Sequence, residues 1–251
     1  MSNKPLKKVI PGITRHMALL NELLPPESGY NQHSKFKESL IIEVGGIFRF
    51  RHEDLCATHL ATYIKLADEY EKYDKAYDLF KKRIEDAKTS LGENPDPESL
   101  ESIEFSYYMR LQDFRTHELY LDSIRSFADQ HFIVGLWVIL EQTIAKLLKL
   151  YKEKTNKTFE IPYKWDQTIA LFKTLNIVTD DTLSIYQNIN ELRVLNNKIK
   201  HLNEVDEKLA RFPFFNSMLG KSIDRVRLEL QRYSDNSYAF VHFIAEQLIV
   251  E

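Results

Sequence analysis

Apolar residues recur along most of this chain at helical rather than alternating spacing. From Glu53 to about Lys88, Cys56, Tyr63, Tyr70, Tyr77 and Ile84 return every seven residues. His59, Leu66, Tyr73, Phe80 and Ala87 each follow three positions later, giving a seam that packs lengthwise on a second helix. Ser90 to Pro95 breaks this helix, and Asp96-Pro97-Glu98 restarts one, with Asp as N-cap and Pro at the first helical position. Tyr107, Leu111, Phe114, Leu121, Ile124 and Ala128 supply the apolar side of that next helix. Residues 53–128 are therefore predicted to form a long antiparallel helical hairpin.

Phe132 to Lys152 is the most apolar stretch, with Leu136, Trp137, Leu140, Ile144, Leu147 and Leu148 at helical spacing, and predicts a central core helix. A lysine-bearing loop leads through Pro162 to a short helix carrying Trp165, Ile169, Phe172 and Leu175. Thr179-Asp180-Asp181 offers caps and negative charge for a helix from about Thr182 to Leu202. A final helix is marked by Ile223, Val226, Leu230, Tyr233, Phe240, Ile244 and Leu248. Ahead of all these, residues 1–33 read as an irregular lead with an amphipathic turn around Met17–Leu20, and a helix is predicted to begin near Ser34, weakened by Gly45-Gly46. No strand alternation or repeat occurs, so the fold class is all-α.

Composition sharpens the picture in three ways. Only 7 glycines and 8 prolines in 251 residues fit long helices with few turns. The single Cys56 excludes an internal disulfide and suits a reducing, cytoplasmic setting. A net charge of −3 excludes a polycation that wraps nucleic acid with its whole surface, so any RNA contact is local. Lys4, Lys7 and Lys8 are followed by no apolar run of signal-peptide length, and Phe132–Leu140 is too short to cross a bilayer; a soluble protein is predicted.

Candidate chemistry concentrates in Asn190 to His201. With Arg193 set at roughly 0° on a helical wheel, Asn197 falls at roughly 40°, His201 at roughly 80° and Lys200 at roughly 340°. Ile185, Leu192, Leu195, Ile199 and Leu202 gather between about 180° and about 280°. One face is buried, while the other presents a cation, an amide and an imidazole.

The order of the C-terminal half, from a core helix with an internal acid (Leu136 to Glu141) to Leu192-Arg193…Asn197-x-x-x-His201, resembles the HEPN superfamily of four-helix bundles. That resemblance divides the chain into an N-terminal helical region, 1–128, and a HEPN-like bundle, 129–251. It implies a metal-independent endoribonuclease of toxin, phage-defence or RNA-processing type, working as a homodimer without cofactor. His201 would then serve as general acid or base, Arg193 would clamp the phosphate, and Asn197 would orient the RNA backbone or the imidazole by hydrogen bonds, with Asn196, Lys198 and Lys200 binding RNA. The chain departs from the family's catalytic pattern in three places. The gap of seven residues between Arg193 and His201 is longer, Val194 follows the Arg where a polar residue is common, and Asn196 stands where many active members carry Arg. The alternative implication is a non-catalytic HEPN-like interaction or regulatory module, with an antitoxin or other protein as partner.

Three other features are weaker. Glu141 either pairs with Arg193 as a buried acid or lies solvated at the bundle's edge. His52, Cys56 and His59 share one helical face and have metal-ligand chemistry, but a fourth ligand is missing and two of them fit the seam, so no metal is assigned. The Tyr63/Tyr70/Tyr77 column has base-stacking chemistry, with core packing the preferred role. Phosphate loops, nucleophile elbows and HExxH motifs are absent.

Overall fold

The computed structural model describes residues 40, 44–92, 96–179 and 183–248. The lead with its Met17–Leu20 turn, the start near Ser34, and the caps Asp180 and Asp181 lie outside these residues. The fold is all-α. Gly45-Gly46 falls in a π-helical turn, Val44–Phe48, which runs into α1, Arg49–Ser90. Gly92, at φ +76°, ends α1 in the left-handed conformation that glycine tolerates best. The predicted cap is present: Asp96 Oδ2 accepts from Ser99 N at 3.0 Å and from Ser99 Oγ at 2.9 Å. From it α2 runs from Pro97 to Thr155, followed by α3 (Trp165–Thr174), α4 (Ser184–His201) and α5 (Leu230–Gln247).

One helix, α2, covers both the second arm of the expected hairpin and the expected core helix. Its 59 residues run without interruption, because nothing between Ala128 and Phe132 stops a helix. The division also differs from a boundary at 128/129. Among the described residues, 61–127 form one compact unit, and 40–60 join 128–248 in the other.

Within the first unit α1 and α2 meet along the predicted seam. Tyr63, Leu66, Tyr70 and Tyr73 are buried, whereas Tyr77, Phe80, Ile84 and Ala87 are half-buried toward the turn. Tyr73 and Tyr77 stack on each other at 6.1 Å, both meet Phe114 edge-on, and the Tyr70 hydroxyl donates to Asp122 Oδ1 at 2.8 Å. The tyrosine column is therefore core, not an exposed base-stacking platform.

The second unit is the helical bundle. Phe132, Leu136 and Leu140 of α2, Ile189, Leu192 and Leu195 of α4, and Tyr233, Phe240 and Ile244 of α5 are all buried. Trp165 of α3 packs edge-on to Trp137 at 5.1 Å. Truncating a fully buried leucine here costs about 3 kcal/mol. The last helix begins later than its apolar markers predict. Ile223 and Val226 are buried, but from a 3₁₀ turn and an extended residue. Backbone bonds explain why: Ile223 N donates to Asn203 O, and Val205 N to Lys221 O, so this segment pairs with the residues after α4 instead of coiling. Among the described residues no helix is long and apolar enough to cross a membrane.

Candidate functional site

The helix α4 has the predicted amphipathic character, and its aliphatic side seats it in the bundle, except that Leu202, just past its end, is exposed. On its polar side the candidate residues meet different fates. Arg193 is half-buried and folds back one turn, with Nε and Nη2 both donating to Asn190 Oδ1 at 3.1 and 3.0 Å. Asn196 is only 1% exposed and donates to Asn197 Oδ1 at 3.3 Å, so it is a buried amide and not an RNA-facing one. Lys198 is tied to Asp206, which also accepts the backbone N–H groups of Lys208 and Leu209. Its side chain is 14% exposed.

Asn197, Lys200 and His201 remain exposed. His201 is the last residue of α4 and lies about 12 Å along the axis from Arg193. Within one chain, then, the structure gathers Asn197, Lys200 and His201 but does not bring the guanidinium to the imidazole. Lys198, Lys200 and His201 also place positive charge in the last turn, where the carbonyl end of the helix dipole favours it.

Glu141 is exposed at the rim of the bundle and does not pair with Arg193. Partial burial raises its pKa, opposed by a hydrogen bond from the Trp137 indole and by the charge of Lys200. It lines a cleft of about 350 Å³ with Lys164, Trp165 and Thr168.

A polar cluster that joins α4 to α5 escaped sequence reasoning. Glu191, 3% exposed, accepts from Arg232 Nη2 at 2.6 Å and from the Tyr233 hydroxyl at 2.6 Å. Arg232 also donates to Asn188 Oδ1 and Glu229 Oε2, both at 2.6 Å. Glu191, Arg232, Asn188 and Glu229 line a cleft of about 750 Å³ with Arg211, Phe212 and Phe214. On the wheel Glu191 falls at roughly 160°, at the edge of the aliphatic stripe, and that position is the one sequence signal of its burial.

The three sequence-predicted metal candidates do not converge. His52 Nδ1 lies 3.8 Å from Cys56 Sγ and its Nε2 lies 2.9 Å from Ser234 Oγ, while His59 Nε2 meets Asp129 Oδ1 at 3.0 Å. Burial lowers the His52 pKa to about 4 and raises that of Cys56 to about 12, leaving a neutral imidazole beside a protonated thiol. Among the described residues no group of three or more His, Cys, Asp or Glu is arranged to hold a metal ion.

No family model, curated protein or solved structure matches this chain.

Proposed function

We propose that this chain is a HEPN-like interaction or regulatory module whose α4 face binds rather than cleaves. The observation that carries this reading is the Arg193 guanidinium, held by two hydrogen bonds on Asn190 and directed away from His201. General acid–base cleavage of RNA needs a cation on the phosphate that the imidazole serves, and charge stabilisation is commonly the largest part of such catalysis. Asn196, where many active HEPN members carry Arg, adds no charge, and Lys198 is neutralised by Asp206. Asn197, Lys200 and His201 then serve as an exposed polar surface for another chain, such as an antitoxin-type partner in a defence system.

The test is incubation of the full chain with structured and single-stranded RNA, with and without EDTA. No new ends should appear, and His201→Ala should leave the RNA profile unchanged. EDTA-resistant cleavage that leaves a cyclic phosphate and vanishes in His201→Ala would overturn the proposal.

That outcome would favour a second reading, a metal-independent endoribonuclease. The exposure of His201 beside Asn197 and Lys200 supports it. It requires a homodimer in which Arg193 of one copy reaches His201 of the other across a two-fold axis.

A further inference from the structure

A wedge of the outer surface of α2 between residues 105 and 123 is uncharged and mostly apolar. Phe105, Tyr108, Met109, Leu119 and Tyr120 fall within about 60° of one direction on the helix, opposite Phe114 and Leu121, which face α1. All five are exposed, from 50% for Met109 to 70% for Leu119. The other positions in this wedge are Gln112, Thr116 and Ser123, so no charge interrupts it. The charges at its two margins are Arg115 and Asp113, and Asp113 pairs away from the wedge with Arg110 at 3.4 Å. By contrast, the outer face of α1 in the same unit is dressed with ion pairs, Lys65–Glu69, Lys72–Glu69 and Lys75–Glu71. A two-helix hairpin in water needs only one apolar side per helix. Here α2 has two.

We infer that this stripe is a self-association surface, on which a second copy of the chain lays its own α2 antiparallel. Four of the five apolar positions are symmetric about residue 114: Tyr108 and Met109 stand as far before it as Tyr120 and Leu119 stand after it, Gln112 mirrors Thr116, and Phe105 mirrors the small Ser123. An isologous two-fold contact requires such a surface, because each end of the stripe must fit the other end of its copy. In the antiparallel register Tyr108 lies beside Leu119 of the other copy, and Met109 beside its Tyr120. At their exposures the five side chains offer roughly 500–600 Å² per copy. Pairing two copies covers upwards of about 1,000 Å², enough for a specific interface. This interface is built on α2 and does not depend on what the α4 face does.

The experiment is sedimentation equilibrium of the full chain and of two exposed-site variants, Tyr108→Lys and Leu119→Glu. The wild type should be dimeric, and each variant should associate at least about tenfold more weakly with its helical signal unchanged. Mixing the two variants, or combining both changes in one chain, should restore the dimer, because the introduced ammonium then meets the introduced carboxylate across the contact. That rescue also separates a true contact from a folding defect. A wild type that stays monomeric at high micromolar concentration overturns the inference. So does a dimer indifferent to both changes, or a stripe that cross-linking shows to be covered by residues 1–39 of its own chain.

Discussion

Arg232 grips Glu191 with both terminal nitrogens, Nη2 to Oε1 at 2.6 Å and Nη1 to Oε2 at 3.3 Å, and so ties α5 to α4. The carboxylate is nearly sealed from water, and the guanidinium retains about a quarter of its exposure. Removing the cation alone leaves a buried charge held by one tyrosine hydroxyl. Arg232→Met should therefore destabilise the fold by about 3 kcal/mol, read as a lower urea midpoint at unchanged slope. The double variant Glu191→Leu/Arg232→Met should recover most of that loss, since neither charge then needs desolvation. A single variant with the wild-type midpoint would mean that water reaches Glu191.

His52 makes stability depend on pH. Its pKa is lowered to about 4 by burial, partly opposed by Glu53, against 6.5 for an unburied imidazole. Between those values the unfolded chain takes up the proton and the folded chain does not. Unfolding free energy thus falls as pH drops from about 6.5 to about 4, by up to roughly 3 kcal/mol from this residue. His242, lowered in the same direction by burial, contributes with the same sign. Urea midpoints measured from neutral pH down to about 4 should show this slope, and His52→Gln, which keeps an amide for Ser234 but does not titrate, should flatten it. An identical slope in the variant would assign the effect to other groups.

Cys56 should be chemically silent in the folded protein. Its thiol is fully buried, and burial, aided by Glu53 and Asp235, raises its pKa to about 12, so thiolate at neutral pH is negligible. Labelling by a disulfide reagent should proceed no faster than unfolding and should become rapid in denaturant. Fast stoichiometric labelling of the native chain would contradict this packing.

What the sequence made legible follows from what is local. The seam of α1, the Asp96 cap and the amphipathic α4 all depend on neighbours within a turn or two, and each is present. The continuity of α2 through Ala128 was hidden, because uninterrupted helix-forming residues read equally as one helix or as two with a short join. The Glu191–Arg232 pair was hidden too: its members are 41 residues apart, and only the packing of α4 on α5 makes them neighbours. The fate of Arg193 depends on a rotamer. The wheel places its Cα on the polar face, but Asn190 decides where the guanidinium goes.

Gly135 tests how closely α1 and α2 approach in the bundle. A Cβ built on it would stand 2.8 Å from Leu55 Cδ1, too near for contact, yet the obstacle is the free end of a half-buried side chain. Two effects of similar size then compete in Gly135→Ala. Replacing a mid-helix glycine gains about 1 kcal/mol of helix propensity. Forcing Leu55 off its rotamer loses about 0.5–1.5 kcal/mol. The single variant should therefore lie within about 1 kcal/mol of wild type. In a Leu55→Ala background the obstacle is gone, and Gly135→Ala should stabilise by close to the full increment of about 1 kcal/mol. The cycle of four proteins should thus be non-additive, as expected for side chains in contact. Strict additivity would place Leu55 out of reach of Gly135. Gly135→Leu, whose extra atoms also run into Leu55, should cost about 2 kcal/mol or more when Leu55 is present.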